Sequence, residues 1–120
     1  MAYSRSKLEE VVVGTLLNDF GHDGFLRSCG MSLRRELFEG RQSSFVFGIL
    51  ESMYRDGLNS TTPLDVFKYA NEKGIKYGDA TRFASYMCML ATNNYAFVGF
   101  KKYVKELVMT YLKERKSNGK

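Results

Sequence analysis

The side chains that most often catalyse reactions or bind metal ions are few in this sequence. His22 is the only histidine, and the two cysteines, Cys29 and Cys88, are far apart. A usual zinc site needs three or four Cys, His or acidic ligands, and a nucleophilic triad needs a base beside its nucleophile. We therefore interpret His22 as a polar loop residue and expect neither a metal site nor nucleophilic catalysis.

Carboxylates and nucleotide-binding motifs give no better candidate. Glu9 and Glu10 occupy adjacent positions of a predicted helix and point in different directions, which is typical of a solvated face. No segment has the P-loop pattern G-x-x-x-x-G-K-[ST] that clamps nucleotide phosphates. We expect no enzymatic activity and no cofactor.

Composition fits one soluble domain over residues 1–120, with a polar tail at 117–120. Hydrophobic residues make up 44% of the sequence and Pro63 is the only proline. No apolar run approaches the roughly 18 residues of a membrane span, and no apolar stretch resembles a secretory signal. We therefore expect a cytoplasmic location without membrane contact. The cysteines could pair in principle, but free thiols are favoured, with Cys88 as a small core residue.

Helix start and stop signals recur along the chain and predict an all-α fold. Thr62, Pro63 and Asp65 form the clearest start signal, as N-cap, N1 and N3. Ser6 and Glu9 are expected to form a capping box that starts the first helix. The predicted helices cover about 7–19, 23–29, 43–56, 63–73, 80–92 and 95–116, with a short turn at 32–38. No segment alternates like a strand, so a compact orthogonal bundle of about six helices is expected.

The last predicted helix has an apolar flank and a basic flank. The apolar flank contains Phe97, Phe100, Val104, Leu107, Val108 and Tyr111. Their spacing suits a seam along another helix, and a helix of about 33 Å is as long as a small domain is wide. We therefore predict that the distal half of this flank packs against a second copy of the chain. The basic flank contains Lys102, Lys105, Lys113 and Lys116, which are possible phosphate contacts.

The order of these motifs resembles the N-terminal domain of DnaB-type replicative helicases. Residues 8–19 are similar to the opening of that domain, roughly L-E-x-x-V-L-G-x-L-L-x-D. Residues 47–53 look like its central I-F-x-x-I-x-x-L helix, with Ser43 where the family usually has His. Phe38 precedes that helix as in the family, and Gly57 ends it. Residues 62–74 are similar to the family's next helix. Tyr86 with Leu90 resembles its short Y-L-x-x-L helix, and Asn94 with residues 104–106 resembles its last helix.

This resemblance implies a non-catalytic protein-interaction module of DNA replication. In the family, this domain pairs with its copies through a C-terminal helical hairpin and receives a primase or a helicase loader, while a separate domain carries the ATPase motor. The expected partners are a second copy, a replicative helicase, a primase or a loader. The chain is either a piece of a longer helicase or a stand-alone domain.

Docking residues are harder to identify, because docking surfaces carry no motif. Arg34, Arg35, Lys68 and Tyr69 are the candidates, since Arg and Tyr are enriched at binding hot spots. The alternative is that Tyr69 belongs to the core and the arginines are merely solvated.

A second functional class is a small basic nucleic-acid-binding domain. Residues 61–120 carry a net charge of +6 and residues 1–60 a net charge of −1, so the net charge of +5 comes from the second half of the chain. Four lysines on one helix would give only weak, non-specific and salt-sensitive binding, so this reading ranks second. A helical domain unrelated to replication is the third.

Overall fold

Five α-helices and one short 3-10 turn make up the ordered elements of the computed structural model, which describes residues 4–17, 33–58, 62–92 and 100–119. The helices are α1 (Arg5–Leu17), α2 (Arg41–Arg55), α3 (Pro63–Glu72), α4 (Ala80–Thr92) and α5 (Phe100–Gly119), and the 3-10 turn is Arg35–Leu37. These ranges contain no strand, so the all-α prediction is confirmed. The helix expected at 23–29 lies outside the described residues.

The first helix, α1, is the centre of the fold. Its residues from Val11 to Leu17 are all buried, and it packs against α2, α4 and α5. Apolar residues cover more than half of its circumference, so a helix with a single covered face would leave much apolar surface in water. The breadth of its apolar surface therefore accounts for the central position of this helix.

The start of α1 differs from the prediction. The helix begins at Arg5, and the Lys7 amide donates a hydrogen bond to Ser4 Oγ over 3.2 Å, so Ser4 caps it. Ser6 lies inside the first turn. The expected capping box between Ser6 and Glu9 is therefore wrong, because Glu9 turns inwards and binds groups around the start of α2.

Most other helix ends follow their local signals. Thr62 Oγ1 accepts the Asp65 amide at 3.3 Å and donates to the Asp65 carboxylate at 2.7 Å, as the start signal predicted. Gly57 and Gly74 follow α2 and α3 with φ of 78° and 68°, a backbone region that glycine enters without steric cost. The second helix begins two residues earlier than expected, at Arg41.

The apolar flank of α5 lies against the chain's own core. Val104 and Leu107 are fully buried, while Val108 and Tyr111 are half-buried against the same core. The prediction that Leu107 packs against a second copy is wrong, because the chain's own core buries it; for the half-buried Val108 and Tyr111 it stays a prediction. The physical reason is that α1 is apolar on this side too and α5 covers it. Phe97, and the side chain of Phe100, lie outside the described part of the chain.

Two further findings concern exposure. Cys88 is exposed, so its prediction as a core residue is wrong. Phe83, Met87 and Leu90 form the buried face of α4, and at 100° per residue Cys88 points away from it. Within the described ranges, no helix combines the length and apolarity that crossing a bilayer requires.

Candidate binding groove

The predicted docking residues fall into exposed and buried groups. Arg34, Arg35 and Lys68 are exposed. The Arg35 guanidinium lies over Gly48, where an added Cβ would come within 3.0 Å of it, and Arg35 Nε donates to Ser44 Oγ at 3.3 Å. Arg35 is therefore held along α2 rather than extended into solvent.

Tyr69 is not a surface docking residue. Its side chain is buried, with only 7% of the residue exposed, and its hydroxyl donates a 2.7 Å hydrogen bond to Asp56 Oδ2. This bond, followed by burial, raises the pKa of Tyr69 above its ordinary value. Tyr69 therefore joins α3 to the end of α2, and its selection for docking is wrong.

The basic flank of α5 is exposed to solvent. Lys102, Lys105 and Lys113 are exposed on one side of the helix, and Met109 between them is 60% exposed. The side chain of Lys116 lies outside the described part of the chain. The three described lysines extend over about 16 Å of helix, which is a short and sparse line of charge.

One charged cluster is closed within the fold. Glu9 is 2% exposed, and its carboxylate accepts hydrogen bonds from the amides of Glu39 and Gly40, both at 2.9 Å, and from Ser43 Oγ at 2.6 Å. These groups surround the start of α2. Glu9 therefore supplies a cap for a helix that lacks a capping side chain of its own.

Arg5 completes this cluster. Its Nε lies 3.2 Å from Glu9 Oε2, and a second nitrogen donates to the Leu37 carbonyl at 2.9 Å. A third nitrogen pairs with Glu114 on α5. We name Arg5, Glu9, Ser43 and Glu114 the Glu9 cluster. It ties α1, α2, α5 and the 3-10 turn together, so its charges are committed to the fold.

A groove of about 360 Å³ lies between the starts of α2 and α4, and we name it the aromatic groove. Both helices pack on α1, and α3 contacts both of them. The lining residues are Arg41, Gln42, Phe45 and Val46 of α2, Lys76, Tyr77 and Asp79 of the connecting segment, and Arg82, Phe83 and Tyr86 of α4.

The floor of the aromatic groove is a packed set of rings. Tyr77 and Phe83 stack with their centroids 4.7 Å apart, and Phe45 meets Phe83 edge-on at 5.7 Å. Phe67 lies 5.4 Å from the Tyr77 ring. The Tyr77 hydroxyl donates to Asn71 Oδ1 at 2.5 Å. Rings held from several sides give a floor with few alternative rotamers.

The rim of the aromatic groove is positively charged. Arg41, Lys76 and Arg82 are all exposed, and none forms an ion pair with another residue that the structure describes. Asp79 is the one acidic lining residue. Its Oδ1 accepts the amides of Thr81 and Arg82 at 2.8 and 3.1 Å, so Asp79 caps the start of α4.

The spacing of cations and aromatic residues in the sequence is a signal for this groove. The helical pattern of apolar residues alone does not distinguish the groove from ordinary core packing. Arg41 and Phe45 are four residues apart, and so are Arg82 and Tyr86. Such spacings place a cation beside an aromatic ring on one helix face. The helical pattern by itself places Phe45 and Phe83 only on the apolar sides of their helices.

Comparison with known proteins adds no family. The chain matches no protein-family model, no curated protein and no solved structure.

Proposed function

We propose that this chain is a non-catalytic protein-interaction module of DNA replication, resembling in its role the N-terminal domain of DnaB-type helicases. In this proposal it associates with itself and docks a primase, a helicase loader or a helicase ring. The 120 residues contain no P-loop, so in this proposal any ATPase motor belongs to another domain or another protein.

The observation that carries this proposal is the agreement between motif order and helix order. The opening motif coincides with the central helix α1, the next motif with α2, and residues 62–74 with α3 and its glycine. The residues of these motifs serve as core, caps and terminators here. They support a shared scaffold, and the role in replication is inferred from the resemblance.

A pull-down from extract of the native cell tests the role. The tagged chain is expected to recover a primase, a loader or a replicative helicase. Arg34→Ala, which removes an exposed guanidinium whose contact with Glu36 is a long 3.8 Å, should lower recovery without lowering the melting temperature. Recovery of no replication protein by the wild-type chain would overturn the proposed role.

Self-association is proposed to use exposed residues of α5, because Val104 and Leu107 of the predicted flank are buried in the chain's own core. Leu112 and Met109 are 54% and 60% exposed on α5 and remain available to a second copy. We expect light scattering to show a dimer at high micromolar concentration, and Leu112→Asp to shift the mass to a monomer. Met89→Glu, which also places a charge at an exposed position, on α4, is the matched control. A monomer at every concentration would contradict self-association.

Nucleic-acid binding is a second candidate, supported by the exposed Lys102, Lys105 and Lys113. Three phosphate contacts would give a slope of about −2.7 in the logarithm of affinity against the logarithm of salt concentration. Sub-micromolar binding to DNA at 150 mM salt, lost in Lys105→Glu, would rank this function above the first.

A further inference from the structure

We propose that the aromatic groove binds an acidic peptide segment of a partner protein through one apolar anchor side chain. This inference deepens the proposed interaction function and rests on it for the biological context. The occupant is defined by its chemistry, which is an aromatic or aliphatic side chain flanked by aspartate or glutamate.

The floor of the groove selects an apolar anchor. Phe45, Tyr77 and Tyr86 are only half-buried although they lie beside the core ring Phe83. These half-covered rings retain apolar surface that is removed from water when a side chain fills the groove. Because Tyr77 and Phe83 already hold each other, little side-chain entropy is lost on binding.

The rim selects acidic neighbours of that anchor. Arg41, Lys76 and Arg82 lie around the opening without carboxylate partners among the described residues, and the carboxylate of Asp79 is committed to amides of α4. An arginine binds a carboxylate through two parallel hydrogen bonds. The three rim cations therefore complement a segment with several carboxylates.

The size of the groove favours a short segment. Its volume of about 360 Å³ is near the lower limit of small-ligand pockets and suits one or two side chains. An extended peptide that inserts one side chain and crosses the rim satisfies both this size and the exposed position of the cations.

The ring geometry favours a peptide over single-stranded nucleic acid. Base binding uses exposed ring faces on which bases stack. Here Tyr77 and Phe83 stack on each other at an interplanar angle of 16°, and Phe67 packs beside both. Tyr77 and Phe83 therefore each have one face covered by the other, which leaves less ring face for base stacking and still leaves partial ring surface for an aliphatic or aromatic side chain.

Binding of defined peptides tests the proposal. The probe is a fluorescein-labelled peptide with one central Phe flanked by Asp and Glu residues, measured by fluorescence anisotropy with the full chain at low salt. A peptide with Ser for Phe, a peptide with Asn and Gln for the acids, and oligo-dT of equal charge are the controls. We expect the acidic Phe peptide to bind at least about tenfold more tightly than each of them, since each peptide control loses one type of contact.

Variants locate the binding on the chain. Arg82→Glu and Arg41→Glu should each weaken binding about tenfold or more. Arg55→Glu makes the same change of charge at an exposed position about 21 Å along α2 from Arg41 and should leave it within about twofold. If a variant has a lowered melting temperature, the position of the bound peptide is found on the wild-type chain instead, by cross-linking it to a peptide that carries benzoylphenylalanine. Cross-links at 41–46 or 76–86 support the groove, and cross-links elsewhere overturn it.

The outcomes separate the groove from the replication role. Equal binding of the Phe and Ser peptides, or tighter binding of oligo-dT, overturns the peptide proposal. Peptide binding with no replication protein in the pull-down keeps the groove and removes the role. Recovery of a replication protein that is unchanged in Arg82→Glu keeps the role and removes the groove as its docking site.

Discussion

The Glu9 cluster and the aromatic groove both contain arginine side chains, but the surroundings of these side chains differ between the two regions. In the Glu9 cluster, Arg5 has a 13% exposed side chain and contacts two carboxylates and a carbonyl. In the aromatic groove, Arg41 and Arg82 are exposed and have no ion pair with any residue in the described ranges. The first set of charges is satisfied by the chain itself, and the second is left to water or to a partner.

This contrast separates stability from binding. A buried charge must be paired, because an unpaired one costs several kcal/mol. An exposed cation stays hydrated and contributes little to folding, so its position is free to serve a partner. Substitutions in the Glu9 cluster should therefore change unfolding, and substitutions at the groove rim should change binding.

The largest effect is expected for Glu9→Ala. This change leaves Arg5 without its buried partner and leaves the Glu39 and Gly40 amides unbonded at the start of α2. Loss of one partner of a buried pair costs about 3–5 kcal/mol, which urea unfolding monitored by circular dichroism would measure.

The adjacent Glu10 provides the matched control. It is half-buried and carries the same carboxylate on the next helix position, so Glu10→Ala should cost at most about 0.5 kcal/mol. Equal losses for Glu9→Ala and Glu10→Ala would show that the Glu9 cluster does not hold the fold.

A smaller effect is expected for Ser43→Ala within the same cluster. Ser43 Oγ donates the shortest hydrogen bond to Glu9, at 2.6 Å, and is buried. Hydrogen bonds to charged groups contribute about 1.5–3 kcal/mol, and the amide donors that remain keep Glu9 partly satisfied. Ser85→Ala on the exposed side of α4 is the control, and a Ser43 variant as stable as that control would contradict the prediction.

Tyr69 lies between the two extremes, because its ring is buried while its acceptor Asp56 is 44% exposed. Tyr69→Phe should cost about 1 kcal/mol near neutral pH. The raised pKa of Tyr69 means that this contribution is fully present below the unfolded pKa of about 10 and is lost as pH rises through the folded value.

The pH dependence gives the Tyr69 prediction its own control. Above about pH 10, the wild-type free energy of unfolding should fall with pH more steeply than that of Tyr69→Phe, so that the two converge. Parallel curves across this range would show that the Tyr69 hydroxyl is not held by Asp56 in solution.

The elements that were predictable from sequence depend on neighbours in the chain. The start of α3 at Thr62 and Pro63, the cap at Asp79 and the glycine at the end of α2 are set by contacts within a few residues. Such signals require no knowledge of the tertiary structure. The all-α class follows from them directly.

The errors concern residues whose surroundings come from distant parts of the chain. Glu9 looks like a capping or solvated residue until residues 39–43 approach it. From the sequence, Leu107 looks available to a partner, but α1 covers it. Tyr69 looks available too, but its hydroxyl binds Asp56. The aromatic groove has the same origin, because helical spacing shows that Phe45 is apolar but not whether anything covers it.

The smallest effect on stability is expected for a substitution at the rim of the aromatic groove. Unlike substitutions in the Glu9 cluster, it should change binding and leave unfolding nearly unchanged. The Arg82 side chain is exposed and forms no ion pair with the residues described, so Arg82→Ser should change the free energy of unfolding by no more than about 0.5 kcal/mol. Its backbone amide still donates to Asp79, because the substitution leaves the main chain intact. The same variant should bind the acidic Phe peptide several-fold more weakly. Urea unfolding and anisotropy on one preparation measure both quantities, and a loss of stability above about 1 kcal/mol with unchanged peptide binding would place Arg82 among the structural charges.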